Sequence, residues 1–314
     1  MNTLKLAVVA IDDTVDGIRT LTLRDPDGAP LPSFTPGSHI VLECAGRVNA
    51  YSLTGEGTAP ETYVISVLRR DPTEGGTGGS RLFHDELALG DTVAATPPRS
   101  AFAPVLRARR HLLVAAGIGI TPMVSHLRGA RRWGRDARLI YVHRAGRGAY
   151  VDTVSQLGEH ISIHTDRAAF TANLIAALGD QPFGTHLYVC GPAAFIDDVT
   201  STASRLGWPP SRIHFEHFGA DALDPGEPFP ARIASTGETF MVDAGVSLLE
   251  ALERRGVQVP NLCRRGVCGE CRVPVSAGAI THRDLYLSDA EKQAGEVLMA
   301  CVSRGGPETL EVAL

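Results

Sequence analysis

Three of the chain's six cysteines lie within nine residues, in the segment CRRGVCGEC at positions 263–271. Cys263, Cys268 and Cys271 have the spacing C-x4-C-x2-C, and Cys301 follows much later in the segment LMACVSRG. The glycines inside CRRGVCGEC disfavour a helix, because glycine loses more backbone freedom on folding than any other residue. The spacing therefore predicts a loop that gathers several thiols around one site.

A [2Fe–2S] cluster fits this spacing, since plant-type clusters use three bunched cysteines and a distant fourth. Such a cluster is anionic, and glycines can turn backbone N–H groups toward its sulfurs. Zinc is an alternative, although its cysteines usually come in paired short knuckles. Disulfides are another, but they belong to oxidising compartments, and the N-terminal segment lacks a secretory signal pattern. We therefore expect a cytoplasmic protein with the cluster ligands Cys263, Cys268, Cys271 and Cys301.

Length and composition limit the remaining possibilities. A chain of 314 residues is long for one core and predicts two or three domains. Its longest apolar run, HLLVAAGIGITPMV, contains glycine and proline and is shorter than the roughly 20 residues of a membrane span. The net charge of −5 disfavours nucleic acid as a ligand. We expect neither a membrane nor a nucleic acid as a partner.

Two secondary-structure patterns follow one another in the first two thirds of the chain. Residues 1–100 hold six short apolar runs between turn signals, which predicts an antiparallel barrel or sandwich. One helix is expected there, with Ser80 as its N-cap and Gly90 closing it. Residues 110–215 alternate strand-like and helix-like segments, which predicts a parallel sheet with helices on both faces.

The last third begins with a predicted linker at residues 219–230, which contain three prolines and two glycines. A hairpin is expected at 231–242. The segment SLLEALERRG predicts a helix whose capping box joins Ser247 to Glu250.

Three glycine-rich turns are candidates for binding phosphate groups. GIGITP at 117–122 follows a strand and opens a helix, so its N–H groups could face a pyrophosphate, although proline replaces the third glycine of the usual fingerprint. YVCGPAAF at 188–195 predicts a second turn at the same sheet edge, where its cysteine is either a small buried hydrophobe or a wall beside a planar ring. GGTGGSR at 75–81 is the third. The alternatives are a tight turn without ligand for GIGITP and a flexible hairpin loop for GGTGGSR.

Taken in order, these motifs resemble those of the phthalate dioxygenase reductase family. The resemblance covers nearly the whole chain and rests on YSL, GGSRLFH, AAGIGITPM, YVCGP, IHFEHFG, CRRGVCGEC and MACVSR. It implies a multidomain fold with an antiparallel β-barrel flavin domain at 1–105 and an α/β parallel-sheet nucleotide domain at 106–222. A linker and an α+β plant-type ferredoxin domain of the β-grasp kind would occupy 223–314.

The resemblance also implies the cofactors FMN, NADH and a [2Fe–2S] cluster. NADH would give a hydride to the flavin, and single electrons would then pass through the cluster to a Rieske-type terminal oxygenase. A reductase for a cytochrome P450 or another non-Rieske acceptor is the alternative among enzymes. A redox-sensing module that binds flavin and an iron–sulfur cluster is the alternative from another class.

Carried over by position, the resemblance assigns residues to both nucleotides. Thr121, Cys190 and Glu216 would position the nicotinamide and the flavin. The implied FMN residues are Arg47, Asn49, Ala50, Tyr51, Ser52, Leu53, Ser66, Val67, Leu68, Gly78, Gly79, Ser80, Thr121 and Phe218. The implied NAD residues are Gly117, Gly119, Thr121, Pro122, Arg144, Asp166, Cys190, Gly191 and Pro192.

One flavin position departs from the family pattern Arg-x-Tyr-Ser. Asn49 stands where the arginine is expected, and Arg47 lies two residues earlier. Two residues along a strand return to the same face, so Arg47 could supply the charge. Without it FMN would lose a charge-assisted hydrogen bond worth about 1.5–3 kcal/mol. We therefore hypothesise that FMN is held more loosely than is usual in the family.

Charged residues suggest the coenzyme and the docking surface. Asp166 could accept the ribose hydroxyls of NADH and repel a 2′-phosphate, whereas Arg144 could attract one. The alternative for both is a solvated strand end.

The arginines around the cysteine loop would steer an acidic patch of the oxygenase toward it, with plain solubility as the alternative. They are Arg264, Arg265 and Arg272.

Overall fold

The computed structural model describes residues 3–44, 47–70, 79–100, 102–218, 226–261, 266, 269–284 and 286–314. The chain divides into two compact units, Met1–Ala222 and Leu223–Leu314, and each is described by itself. Five residues of the sequence analysis lie outside the described residues, namely Gly78, Cys263, Arg264, Arg265 and Cys268.

The first unit opens with an antiparallel sheet that curls into a barrel. Inward side chains of alternating strand residues, such as Leu21 and Ile65, form its core. The backbone N–H of Thr54 donates to Val64 O at 2.9 Å, so the two outermost strands meet just beyond β4. The strand order is β4-β3-β6-β1-β2-β5, with β7 paired to β3. The strands are β1 (Leu4–Val15), β2 (Ile18–Arg24), β3 (Ser38–Cys44), β4 (Arg47–Ser52), β5 (Thr62–Leu68), β6 (Thr92–Ala95) and β7 (Arg99–Ser100).

The barrel's helix α1 (Gly79–Asp85) differs from the sequence prediction at both ends. Ser80 lies inside the helix rather than at its N-cap, so that prediction was wrong. The helix ends before Gly90, whose N–H instead donates to Val8 O at 2.9 Å. The chain after α1 therefore leaves the helix to join strand β1.

A five-stranded parallel sheet forms the rest of the first unit, as the alternating pattern predicted. Helices α2 and α3 pack on one face, and α4 and α5 pack on the other. The order is β10-β9-β8-β11-β12. The strands are β8 (Arg110–Ala116), β9 (Asp136–Val142), β10 (Ile161–His164), β11 (Thr185–Gly191) and β12 (Ile213–His217). The helices are α2 (Ile120–Arg132), α3 (Val151–Leu157), α4 (Arg167–Gly179) and α5 (Ala193–Arg205).

The strand order of this sheet reverses between β8 and β11. From β8 the chain moves outward to β9 and β10, and it then returns to the other side at β11. Loops leave such a reversal point in opposite directions, which opens a crevice at the carboxyl ends of the two strands. The turns GIGITP and CGP both begin there.

The second unit is a mixed sheet covered by a short helix. Leu248 and Leu252 of that helix are fully buried against the sheet. Strand order is β14-β13-β19-β15-β17, with β16 paired to β18. The strands are β13 (Phe229–Ile233), β14 (Thr239–Val242), β15 (Arg272–Ala277), β16 (Ile280–Thr281), β17 (Val297–Met299), β18 (Arg304–Gly305) and β19 (Leu310–Val312). The helices are α6 (Leu248–Glu253) and α7 (Asp289–Ala294).

Local predictions for the second unit were mostly confirmed. Strands β13 and β14 form the predicted hairpin, and the capping box between Ser247 and Glu250 is present. The predicted linker was too long at its C-terminal end, because Phe229 and Pro230 belong to β13. Phe229 is almost fully buried, so its place in the core decided the strand boundary. Within the described residues, none of the helices has the length and apolarity needed to cross a membrane.

Candidate functional site

Strand β4 places the predicted flavin residues on two faces. In the ladder with β3, Arg47, Asn49 and Tyr51 pair with Cys44, Leu42 and Ile40. Directly paired residues share a sheet face, so the backbone puts these three at alternate positions on one face. Ala50 and Ser52 take the other face.

Tyr51 is held beside the first helix. Its half-buried ring meets the ring of Phe83 edge-on, with centroids 5.2 Å apart. Ser52 next to it is buried, and Leu53 is fully buried in the barrel core. Leu53 can therefore offer a ligand only its backbone, whereas Tyr51 keeps an exposed part of its ring.

Strand β5 turns one face to the barrel core and the other to the nucleotide domain. Val67 points into the core and is fully buried, so the structure does not present its side chain to a ligand. Ser66 and Leu68 point the opposite way. Leu68 packs in one apolar cluster with Ile118 of the GIGITP turn and with Phe218. Ser66, Leu68 and Phe218 thus converge where the two domains meet.

The predicted phosphate loop is described only at its end. Gly79 is the first residue of α1. Ser80 Oγ accepts a hydrogen bond from the backbone N–H of Arg70 at 3.1 Å, which ties the helix to the end of β5.

The GIGITP and CGP turns pack directly against each other. A Cβ on Gly119 would lie 2.3 Å from Cys190 O and 2.5 Å from Cys190 C. A Cβ on Gly191 would lie 3.0 Å from the side chain of Ala116. Only glycine fits at position 119, because the atoms in its way belong to the main chain and cannot swing aside.

The other predicted residues of these turns have structural partners. Thr121 Oγ1 donates to Ile118 O at 3.0 Å and so closes the turn on itself. Pro122 lies in the first turn of α2 and is buried, while Pro192 precedes α5 as its N-cap. Cys190 is fully buried and pairs in register with Glu216 on β12. The structure thus places Thr121 and Cys190 at the crevice between β8 and β11, with Glu216 beside Cys190 on the next strand, β12.

Arg144 and Asp166 lie beyond the last residues of neighbouring strands, at the same sheet edge. Both are exposed. Asp166 is the N-cap of α4, and one of its carboxylate oxygens accepts from the N–H of Ala169 at 2.8 Å. In the described part of the chain no hydrogen bond to its second carboxylate oxygen is seen, so this geometry is compatible both with a solvated strand end and with contact to a polar ligand.

Tyr150, which the sequence analysis did not select, reaches from the nucleotide domain to the barrel. Its hydroxyl lies 2.7 Å from Ser66 Oγ and 3.0 Å from Thr54 Oγ1. No local pattern signals such a contact, since Tyr150 and the two barrel residues are far apart in the sequence. The amphipathic spacing of Val151, Val154 and Leu157 could have revealed only the helix that follows it.

In the second unit, strand pairing brings two of the predicted cluster ligands together. Cys271 immediately precedes β15, and Cys301 follows β17, its antiparallel neighbour. Their sulfurs are 3.1 Å apart, and both residues are buried free thiols. The backbone N–H of Gly266 donates to Cys301 Sγ at 3.2 Å. Gly266 has φ 70°, the left-handed conformation that the sequence analysis expected of this loop.

These contacts favour the metal-binding form of the thiols. The pKa of Cys271 is lowered, first because the Cys301 side chain hydrogen-bonds to it. Burial opposes this shift, and nearby backbone N–H groups add to it. A thiolate, not a thiol, binds metal. Cys271 and Cys301, the two predicted ligands that the structure describes, therefore fit the sulfur-ligated cluster predicted from the spacing.

A buried carboxylate supports the loop from behind. Asp284 Oδ2 accepts from the N–H of Leu287 at 2.8 Å, and Oδ1 accepts from Ser303 Oγ at 3.2 Å. A Cβ on Gly266 would come within 2.9 Å of Asp284 Cα. His282 Nδ1 lies 3.4 Å from Asp284 Oδ1. Asp284 thus joins Gly266 to the segment that carries Cys301.

Among the predicted docking arginines, Arg272 is described. Its guanidinium forms an ion pair with Glu291 at 3.2 Å, and both side chains are partly exposed. Exposed pairs of this kind are weak, so Arg272 can exchange this partner for another carboxylate.

Two parts of the chain match known protein-family models. Residues 91–213 match the dimethylamine monooxygenase subunit DmmA-like N-terminal domain. Residues 231–304 match the 2Fe-2S iron-sulfur cluster binding domain.

Whole-length relatives were also found. The chain is 41% identical to the heme-dependent oxidative N-demethylase beta subunit of Ectopseudomonas mendocina, over 94% of this chain and 96% of that protein. It is 36% identical to phthalate dioxygenase reductase of Burkholderia cepacia, over 96% of this chain and 94% of the relative. A solved structure of phthalate dioxygenase reductase, described as modular for electron transfer from pyridine nucleotides to [2Fe-2S], aligns with a TM-score of 0.64 and 34% identity. That alignment covers 100% of this chain and 98% of the other.

Proposed function

The chain belongs to the phthalate dioxygenase reductase family, whose members are oxidoreductases that pass electrons to an oxygenase, and we propose that it is the reductase component of such a system. Its cofactors are FMN, NADH and a [2Fe–2S] cluster. One observation carries the proposal: two buried cysteine sulfurs 3.1 Å apart, with a backbone N–H aimed at one of them, lie in a chain that also holds two interlocked nucleotide-type turns.

The cofactors supply the electron chemistry when bound, since a flavin can accept a hydride and a cluster can carry single electrons. The chain's own residues bind these cofactors and orient them. The turns at Gly119 and Gly191 let the backbone approach a dinucleotide, and the N-terminal ends of α2 and α5 add partial positive charge. Tyr51, Ser52, Ser66, Leu68 and Phe218 would contact the flavin.

The wider assignment of residues is part of the same proposal. The four cysteines 263, 268, 271 and 301 would ligate the cluster. We also keep 1–105, 106–222 and 223–314 as the three domains. The break at 105/106 falls between strands β7 and β8, and the break at 222/223 coincides with the limit between the two compact units. A cytoplasmic location stays a prediction.

Two finer points concern binding. Asp166, with one carboxylate oxygen outside its helix cap, favours NADH over NADPH, and Arg144 favours the reverse. The ratio of kcat/KM for the two coenzymes shows which of the two residues decides the preference.

Arg47 shares a strand face with Asn49 and Tyr51, which supports its role as the substitute charge for FMN. If Arg47→Ala retains FMN on dilution as well as the unchanged protein does, this role is wrong.

The docking surface is proposed around the cysteine loop. Arg264, Arg265 and Arg272 would meet an acidic patch of the oxygenase and speed its approach. The double change Arg264→Glu and Arg265→Glu should slow electron delivery to the oxygenase and flatten its salt dependence. NADH-driven ferricyanide reduction, which needs no docked partner, should stay normal.

The iron centre of the oxygenase has two candidates. The family resemblance points to a Rieske-type centre. The 41% identity to a heme-dependent N-demethylase subunit, together with the dimethylamine monooxygenase match, favours a haem acceptor as the second. Mixing the NADH-reduced protein with each kind of oxygenase distinguishes them, because haem reduction moves the visible absorbance, whereas a reduced Rieske centre adds a second electron paramagnetic resonance signal to that of the protein's own reduced cluster.

The central test is the composition of the anaerobically purified protein. We expect about two irons and two inorganic sulfides per chain, with absorbance that extends to the red of the flavin bands. NADH should bleach both chromophores. Protein that holds zinc and flavin but no sulfide would overturn the proposal, and so would a flavin and cluster that NADH fails to reduce.

A further inference from the structure

Several polar contacts cross from the nucleotide domain to the barrel among the described residues of the first unit, and they include hydrogen bonds that join Arg128 Nε to Thr54 O at 3.0 Å and His126 Nε2 to Phe102 O at 2.7 Å. Arg147 pairs with Asp16 at 2.7 Å, and Arg128 pairs with Glu56 at 3.2 Å. Both pairs have exposed members and lie in high dielectric, so they hold the domains together only weakly. The contact of Tyr150 differs from these ion pairs, because its hydroxyl meets two part-buried hydroxyls instead of a solvated charge.

Tyr150 adopts a backbone conformation that its own helix does not require. Its φ of 61° is left-handed, and Ala59 is the only other non-glycine residue with positive φ in the described part of the chain. Tyr150 is the N-cap of α3, yet among the described residues its side chain makes no capping hydrogen bond. Such conformations persist where surrounding contacts impose them. The hydrogen bonds of its hydroxyl are to the barrel, while its side chain also packs against the apolar cluster between α2 and the parallel sheet.

The donor and acceptor of each hydrogen bond in this series follow from one bond whose direction is known. Thr54 Oγ1 donates to Val64 O at 3.1 Å, so its single proton is used. Tyr150 must then be the donor to Thr54, and Ser66 the donor to Tyr150. Ser66 Oγ is also 2.7 Å from Thr20 Oγ1, which must therefore donate to Ser66. The hydrogen bonds run in one direction, from Thr20 through Ser66, Tyr150 and Thr54 to Val64 O.

The middle of this chain lies beside the proposed flavin site. Ser66 and Leu68 share the outer face of β5. Leu68, Ile118 of the nucleotide turn and Tyr150 all pack against the same apolar cluster. A shift of Tyr150 would therefore move β5 relative to that turn. Because hydride transfer needs the two rings held within a narrow range of distance and angle, a small displacement here lowers the rate strongly.

We propose that Tyr150 is a positioning residue: its hydroxyl, as the central link between Ser66 and Thr54, aligns the flavin strand β5 with the nicotinamide turns. This inference rests on the proposed function. It predicts that losing the hydroxyl slows hydride transfer without weakening NADH binding, since Tyr150 acts through β5 and not on the coenzyme.

The test is Tyr150→Phe in the full-length protein with its cofactors, followed by anaerobic rapid mixing with NADH. The rate of FMN reduction at saturating NADH, per bound FMN, should fall about tenfold. The NADH concentration at half-maximal rate should stay within about twofold, as expected when ground-state binding is unchanged. Reduction of the same flavin by dithionite needs no aligned nicotinamide and should not change.

Tyr63→Phe is the matched control. Tyr63 is a buried tyrosine of the barrel, and its hydroxyl donates one hydrogen bond to Pro32 O at 2.6 Å, away from the domain contact. It should lose comparable stability and keep the hydride-transfer rate. Thr54→Val tests the same chain from the other side and should reproduce the rate loss if Tyr150→Phe fails to fold.

Several outcomes overturn the inference. One is an unchanged rate in Tyr150→Phe. Another is a raised half-saturation with normal maximal rate, which would make Tyr150 a binding residue. Equal rate losses in both tyrosine variants would indicate general destabilisation. If the unchanged protein binds FMN but NADH does not reduce it, the proposed function fails, and that result is visible before any variant is made.

Discussion

The nucleotide turns of the first unit and the sulfur pair of the second are held by different kinds of contact. The turns come from β8 and β11, distant in sequence, and they meet backbone to backbone at Gly119 and Cys190. Hydroxyls from a third region, through Tyr150, align the barrel beside them. The sulfurs are instead carried by the neighbouring strands β15 and β17 and approached by the N–H of Gly266.

This difference separates two kinds of vulnerability. In the second unit a lost ligand removes the group on which the site depends, so the expected effect is all or nothing. In the first unit no single side chain is indispensable, and changes should alter rates and affinities by degrees. The following variants test that contrast, beginning with the largest expected effect.

Cys301→Ser should abolish the cluster. Serine keeps the shape, but its oxygen is a poor substitute for a thiolate toward iron, so we expect iron and sulfide contents near zero. NADH should still reduce FMN at the normal rate. The control is Cys44→Ser, because Cys44 is not one of the four predicted ligands. This variant should keep its full iron content. A Cys301→Ser protein with normal sulfide would contradict the ligand assignment.

Gly266→Ala should weaken the second unit by about 2–4 kcal/mol, because a left-handed alanine is strained and its Cβ is also crowded. That Cβ would meet Val302 Cγ2 at 2.6 Å and Asp284 Cα at 2.9 Å. The measurement is the urea midpoint at which the cluster's visible circular dichroism disappears. Gly256→Ala isolates the conformational part, since Gly256 has φ 75° with nothing within 4 Å of its Cβ position. Equal losses in the two variants would mean that crowding at Gly266 contributes nothing.

Gly119→Ala should weaken the first unit by about 1–3 kcal/mol, as is usual when an added methyl meets atoms that cannot move. It should also raise the NADH concentration needed for half-maximal FMN reduction, because the two turns must separate. Both tryptophans, Trp133 and Trp208, belong to this unit, so their fluorescence follows its unfolding. Gly179→Ala, at the open end of α4, should have no such cost. Normal NADH saturation in Gly119→Ala would remove this turn from the binding site.

The last expected effect is a pH dependence of the stability of the first unit. Burial lowers the pKa of His186 to about 4, with His111 and Arg212 adding to the shift. The folded state therefore prefers the neutral ring, and the unfolded state takes up the proton first as the pH falls. Stability should be complete above about pH 6.5 and decline toward pH 4.

Tryptophan fluorescence in urea at several pH values measures this decline. Burial also lowers the pKa of His111, so His186→Gln should reduce the slope and not remove it. The exposed His160→Gln is the control and should leave the slope unchanged. A flat profile in the unchanged protein, or an equal slope in His186→Gln, would show that His186 does not govern the effect.

Local sequence patterns predicted local structure correctly. The capping box at Ser247, the β13–β14 hairpin and the alternation of strands and helices in the nucleotide domain are periodic or short-range patterns, and the structure has them. The family, the fold class and the kind of enzyme were also confirmed, because the motifs recur in a fixed order. The assignment of individual flavin and nucleotide residues stays a prediction.

Errors and omissions occurred where a long-range contact decides the outcome. The first helix ends early because Gly90 bonds to Val8 on another strand. Phe229 belongs to a strand and not to the predicted linker, because it is buried in the core of the second unit. Val67 and Leu53 were predicted to contact FMN, but their side chains face the barrel core. Side chains on a strand alternate between two faces, and the motif alone does not say which face is turned to the core.

The sequence by itself determined that this chain has thiols at the spacing of a plant-type cluster, glycines where backbone must approach a phosphate, and three consecutive domain patterns. These features depend on residue type and short-range spacing, and both can be read directly from the sequence. Only the tertiary structure decided that Tyr150 reaches Ser66 and Thr54, and that a buried Asp284 lies against Gly266. Such contacts join segments that the sequence keeps apart, and they form because packing and hydrogen-bond satisfaction act on the folded chain as a whole.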